Sequence, residues 1–318
     1  MEKKGLILPA VVLLLSAAVY MHLKPGPLSD PQYSSSLRNK VVLLCHASSG
    51  VGEQLAYKLA AHGAKLLLVT RTGRSETLSN KLTLSQSYTD SDKANESAQA
   101  QLQISAQTFT LLRGVREEAL RLGSPQVEIL SFDFGEVTSG HVLVDKAVEK
   151  LGGLDYLVLN QEELARGYLV KGGRPIDHKF VERTFNVNVL SSIEIALKAM
   201  PHLEQSKGHI FVASSALGEV SKAGLSVLSA SKHALNGFFY SLQQELKQKK
   251  SAVSLTIGAL GEVDAGDRMP LFSLPDWMVG DKEECATGIL NSMVSRPKTF
   301  TYPIVHLGVA RILKLLAF

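Results

Sequence analysis

Two short strings carry the chemistry-bearing residues of this chain. The first is Leu228-Ser229-Ala230-Ser231-Lys232, with Ser215 thirteen residues ahead of its leucine. On a helix, Leu228 and Lys232 share one face, one turn apart. Ser215 offers a hydroxyl that can donate and accept, and Lys232 an ammonium that can only donate; Leu228 can do neither and cannot ionise. Ser229 and Ser231 point to other faces of the same helix, and an unperturbed hydroxyl is a poor acid. The second string is the small-residue turn Ala47-Ser48-Ser49-Gly50-Val51-Gly52. A glycine turn that opens a helix lets free backbone N–H groups and the helix dipole approach a pyrophosphate.

The elements that must position these strings follow from the apolar pattern. Residues 40–45 and 65–70 are short apolar runs that read as buried strands, with the glycine turn and a helix between them. Strand, turn, helix and strand in about 30 residues make a βαβ unit, the start of a doubly wound nucleotide-binding sheet. The alternation continues with strands over 127–132, 154–159, 209–214 and 254–260, and a short seventh over 300–302. Helices are expected over 142–151, 177–203 and 226–247. Near-continuous apolar strands imply a parallel sheet covered on both faces, an α/β domain. Residues 74–107 break the rhythm: they are rich in Ser, Thr, Gln, Asn and Asp, and read as a polar surface insertion without a core of its own.

The ends of the chain differ from its body. Lys3 and Lys4 precede an apolar run over residues 5–23, close to the ~20 residues that span a bilayer. Read as an uncleaved anchor over 1–24, with its lysines cytoplasmic, it sends the domain into the lumen of the endoplasmic reticulum. Read as a cleaved signal peptide, with Ser16-Ala17-Ala18 near the cleavage point, it makes the protein secreted. Residues 25–39, with several prolines and serines, read as a linker. Asn95-Glu96-Ser97 is a glycosylation triplet that fits a lumenal domain. Residues 303–318 read as an apolar helix that packs on the core, on a membrane face or on a second subunit.

Composition excludes several classes. The formal charge of +4, from 34 basic and 30 acidic residues, is too mild and dispersed for nucleic acid. Cys45 and Cys285 are too few for a disulfide scaffold and lack metal-ligand spacing, so two buried free thiols and no metal are expected.

From about residue 37 onward the chain resembles the short-chain dehydrogenases/reductases, and within them the hydroxysteroid dehydrogenases. The strings that carry the resemblance are Ser215 with Lys232, Gly152-Gly153-Leu154-Asp155-Tyr156-Leu157-Val158-Leu159-Asn160, Ala234-Leu235-Asn236-Gly237-Phe238-Phe239 and Lys282-Glu283-Glu284-Cys285. It implies a single-domain Rossmann fold, a homodimer, an NADP(H) cofactor and a steroid-like or other lipophilic ketone or alcohol as substrate. The family's Thr-Gly-x-x-x-Gly-x-Gly appears as Cys45-His46-Ala47-Ser48-Ser49-Gly50-Val51-Gly52, with His46 in place of the first glycine. By resemblance Arg71 pairs with the cofactor's 2′-phosphate, Asp133 meets adenine, and Asn160 ends the fourth strand where the family's loop lies along the cofactor, with Gln161-Glu162 in place of the usual Ala-Gly adding bulk there. Ser215 orients the substrate oxygen, Asn188 completes a proton relay and Lys232 holds the ribose. Leu228 stands where the family has the tyrosine that donates the proton. Ala265 removes a hydroxyl that meets the nicotinamide amide.

Losing a positioned general acid costs about 10²–10⁴-fold in rate. The expected function is therefore NADP(H)-linked hydride transfer with catalysis and cofactor binding weakened or lost. The alternatives are a pseudoenzyme that binds a ligand or partner on the same fold, and a membrane-associated structural subunit.

Overall fold

The apolar runs become strands and the segments between them wrap both faces of one sheet. The computed structural model describes residues 28–48, 50–72, 91–136, 138, 140–165, 177–264 and 279–303, the side chains of 91–105 excepted. In chain order the elements are α1 (Asp30–Leu37), β1 (Val41–Cys45), α2 (Gly50–Ala61), β2 (Lys65–Arg71), α3 (Ser91–Arg121), β3 (Val127–Phe132), α4 (His141–Leu151) and β4 (Tyr156–Leu159). Then come α5 (His178–Phe185), a π-helical segment (Asn186–Leu190), α6 (Ser191–Ser206), β5 (His209–Ser215) and a single 3₁₀ turn (Ala216–Gly218). The chain continues through α7 (Ser226–Gln248), β6 (Ser254–Leu260), β7 (Val263–Asp264), β8 (Gly280–Asp281), α8 (Lys282–Ser295) and β9 (Thr299–Tyr302).

Seven strands form one parallel sheet in the order β3-β2-β1-β4-β5-β6-β9, with β7 and β8 as a separate short pair. Every residue of β1 is buried, and burying each aliphatic side chain contributes about 1.5–3 kcal/mol. Alternate residues serve opposite layers. Val41, Leu43 and Cys45 join the core under α4, α6 and α7. Val42 and Leu44 join the core under α1, α2, α3 and α8. This is the doubly wound α/β domain expected from the sequence. At its amino edge the Asp155 carboxylate accepts from the Val41 N–H and from Lys40 Nζ, both at 2.8 Å, which fixes β1 beside the start of β4.

Two segments depart from the sequence reading. Part of the expected linker is helical: Ser29 and Gln32 form a capping box at the start of α1, and Tyr33 and Leu37, one turn apart, are buried in the core. The expected polar insertion also ends in structure, because α3 begins at Ser91 and runs to Arg121, burying Leu112, Val115 and Ala119 on its last turns. Residues 73–90 lie outside the described residues, as do the apolar run over 5–23 and residues 304–318. Among the described residues no helix is long and apolar enough to cross a membrane.

Candidate functional site

The strand order reverses between β1 and β4, and in open α/β sheets ligands bind beyond the carboxyl ends at such a switch point. His46 to Ser48, Gly50 to Gly52, Arg71, Asp133, the start of the loop after β4 and Ser215 all lie at that edge. His46 adopts a positive φ of 56°, the left-handed region that the family's glycine occupies without strain. Its carbonyl oxygen accepts from Asn160 Nδ2 at 3.2 Å. A Cβ on Gly52 would stand 2.1 Å from that same oxygen, so only glycine fits there. Gly50 also has a positive φ, of 58°. Ser48 is buried, and its Oγ accepts from the Thr70 hydroxyl at 2.9 Å.

The second group of residues comes from α7 and the π-helical segment. A π turn carries one more residue than an α turn and re-aims a side chain, often at functional sites. Here it turns Asn188 into the interior. Asn188 Oδ1 accepts from the Glu163 N–H at 2.6 Å, and its Nδ2 donates to the Glu163 carbonyl and to Ser231 Oγ, both at 3.1 Å. Ser231 Oγ in turn donates to the Leu228 carbonyl at 2.8 Å. Ser215 caps the 3₁₀ turn, accepting from the Leu217 N–H at 3.2 Å, and that turn is tied to α7 by Asn236 Nδ2 on the Gly218 carbonyl. Leu228 is fully buried among Leu164, Ala165, Leu217 and Leu225, with Phe180 against them. Ser229 is also buried, and its hydroxyl has no hydrogen-bond partner among the described residues.

Charges fill the space between the two groups. Lys232 is buried on α7, and its Nζ lies 3.0 Å from Glu162 Oε1. Arg71 donates to Glu163 Oε2 at 2.9 Å and to the Glu162 carbonyl at 3.3 Å. Arg183, on α5, reaches Asp133 at 3.1 Å and Glu163 at 3.5 Å. Burial works against the Arg183 charge, but the Asp133 and Glu163 carboxylates outweigh it and raise its pKa.

Residues 92–272 match the family model described as short chain dehydrogenase. The chain belongs to the short-chain dehydrogenase family. It is 31% identical over 277 residues to the hydroxysteroid 11-beta-dehydrogenase 1-like protein of Danio rerio, covering 86% of this chain and 83% of that one. It is 28% identical to the 1-like protein A of Xenopus laevis, covering 86% and 81%. A short chain dehydrogenase from Burkholderia cenocepacia J2315, solved in complex with NADP, shares the fold: TM-score 0.61 at 24% identity, covering 84% of this chain and 97% of that one.

Within this family frame, the sequence-expected residues fall into three sets. Asn188, Leu228 and Lys232 come together, with Ser215 bracketing the same helix end through the 3₁₀ turn. His46, Ser48, Gly50, Val51, Gly52, Arg71, Asp133 and Asn160 surround the switch point. Ser49 and Ala265 lie outside the described residues. Sequence reasoning did not single out Glu163 or Arg183, and it set Ser231 aside as pointing to another helix face, although its hydroxyl bridges Asn188 and the Leu228 carbonyl. Asp133 is expected at adenine but is paired with Arg183. Gln161, read only as added bulk, anchors its loop to α6 through Nε2 donating to Ser191 Oγ at 3.2 Å and Ser192 Oγ at 2.9 Å. Both cysteines are buried and unbridged, as expected, and no metal-binding cluster occurs among the described residues.

Proposed function

We propose that this chain has lost the hydride-transfer chemistry of its family and serves as a pseudoenzyme, a binding or partner protein on the reductase fold. The observation that carries this reading is Leu228. At the position of the proton donor stands an aliphatic side chain with no exposed surface, packed by four other apolar residues.

The cofactor end supports the same reading. A nicotinamide dinucleotide is the group for which a switch-point crevice of this family is shaped, and the NADP-bound Burkholderia protein of the same fold supports that assignment. The residues of this chain do not fit it as they stand. Arg71 and Lys232, the cations for its 2′-phosphate and ribose, are engaged by Glu163 and Glu162, and His46 places a side chain at the family's first glycine.

A second reading is a weakened NADP(H)-linked oxidoreductase acting on a steroid-like ketone or alcohol. The retained Ser215, Asn188 and Lys232 favour it, and the names of the hydroxysteroid dehydrogenase-like relatives point to that substrate class. In either reading the protein is proposed to be held in the endoplasmic reticulum membrane by residues 5–23, with its domain lumenal, and to pair as a homodimer; the apolar run supports the anchor, and the family resemblance supports the pairing.

The deciding experiment follows NADPH oxidation by the purified full-length chain with a ketosteroid. The expected rate equals that of the protein-free control. Turnover of about 1 per second or faster, ordinary for an enzyme, would overturn the first reading. Leu228→Tyr must push a larger, polar side chain into a filled cluster, at a cost of about 1–3 kcal/mol, and is expected to lower stability without producing turnover.

A further inference from the structure

We propose that the switch-point crevice is closed from within by an acidic plug: Glu162 and Glu163, on the loop after β4, take the cations that a phosphate-bearing nucleotide would need. The proposal rests on the reading of that crevice as nucleotide-shaped and names what keeps the nucleotide out.

Adjacent carboxylates repel, yet these two are turned inward in different directions. Glu162 meets Lys232 on α7 at 3.0 Å. Glu163 meets Arg71 at the end of β2 at 2.9 Å and Arg183 on α5 at 3.5 Å. The Arg71 and Glu163 side chains are only 9% and 3% exposed. An ion pair that dry is weakly screened, and removing one partner leaves a buried charge uncompensated. The six groups Arg71, Arg183, Lys232, Glu162, Glu163 and Asp133 sum to zero charge. An incoming phosphate would have to displace a carboxylate that is already desolvated and in place.

The loop that carries the plug is fastened along its length. Gln161 donates to Ser191 and Ser192 on α6. The Glu163 backbone is held on both sides by the Asn188 amide, through its N–H at 2.6 Å and its carbonyl at 3.1 Å. Ser231 ties that amide to α7. Asn188 and Lys232, which look like remnants of a proton relay, thus act as positioning residues for the plug. The ligand class the plug excludes is defined by its partners: dinucleotides with phosphate at the Arg71 end and ribose at the Lys232 end.

The test compares the parent chain with Glu162→Gln/Glu163→Gln, which keeps side-chain shape and removes two charges. NADPH, NADH and inorganic pyrophosphate are titrated against each by calorimetry. The parent is expected to bind NADPH no tighter than millimolar, and the double variant on the order of 100-fold tighter, the scale of a broken buried ion pair. NADH, which lacks the 2′-phosphate, should gain less than NADPH, and pyrophosphate should gain too. Tight NADPH binding by the parent overturns the proposal, and so does an unchanged affinity in a variant whose circular dichroism is native. Should the double variant fail to fold, Glu162→Gln decides alone, because Glu162 is the more exposed of the pair at 18%; it should gain about tenfold, and no gain overturns the proposal. The two readings fail distinguishably: tight NADPH binding by the parent without ketone turnover overturns the plug alone, whereas ketone turnover by the parent overturns the pseudoenzyme reading.

Discussion

Acid should destabilise this protein through one buried histidine. His209 opens β5 with no exposed surface. Its Nδ1 lies 2.8 Å from Ser254 Oγ, and its Nε2 has no hydrogen-bond partner among the described residues, so a proton added there would have nothing to bond. Burial, and secondly the charge of Arg296, lower its pKa from 6.5 to about 3. Above pH 6.5 the imidazole is neutral in both folded and unfolded chains and contributes no pH dependence. Between pH 6.5 and about 3 the unfolded chain binds a proton that the folded chain refuses, so stability falls as pH falls. Each pH unit in that window costs about 1.4 kcal/mol. Lowering the pH from 7 to 5 crosses about 1.5 units of the window and should remove about 2 kcal/mol. The assay is urea unfolding at both pH values for the parent and for His209→Gln, which does not titrate. Other groups cancel in the comparison, and the parent should lose about 2 kcal/mol more than the variant. Equal losses in the two proteins would refute the account.

Two further outcomes follow from the thiols and from the amino-terminal run. Burial, with Asp281 as a second cause, pushes the Cys285 thiol up to about 12, and burial alone raises Cys45 further. The native chain should therefore leave a chromogenic disulfide reagent unreacted over minutes and release two thiols in denaturant; rapid reaction of a native thiol would contradict this burial. For the proposed lumenal domain, microsomes from expressing cells should protect it from added protease until detergent is supplied. Digestion without detergent would place the domain on the cytoplasmic side.

The strands β1 to β6 were legible because each is a short, mainly apolar run bounded by turn residues, and β6 falls at Ser254–Leu260 as read; the two-residue β7 and β8 are too short to give such a run. The helices α1 and α3 were not. In α1 only Tyr33 and Leu37 turn to the core, too few for a periodic signal against a background of serine and proline. In α3 the buried positions Leu112, Val115 and Ala119 come at the end of a long polar run. The α8 pattern was present in Cys285, Ala286, Ile289, Leu290 and Met293, but the string at its start served only for resemblance. At the site, motif spacing located Asn188, Ser215, Leu228 and Lys232. It could not locate Glu163 or Arg183, because an acid and an arginine far apart in sequence read as solvated charges until the fold brings them together. Gln161 and Glu162 were visible as departures from the family loop, but their direction is a tertiary fact.

That loop also joins the two ends of the altered site. Glu162 and Glu163 engage the cations at the cofactor end. The next two residues, Leu164 and Ala165, share one buried apolar cluster with Leu228 at the proton end. Five consecutive residues, Gln161 to Ala165, therefore anchor the loop to α6, neutralise the crevice and bury the position of the donor. The leucine is not an isolated gap in a motif, since its packing partners are covalently continuous with the plug. A tyrosine at 228 would press on Leu164 and Ala165, whose neighbour Glu163 is fixed by Asn188 and by two arginines. Restoring the donor alone leaves the carboxylates in place, and removing the carboxylates alone leaves the donor missing. The chemistry of the family would return only when both contacts of this one loop are changed.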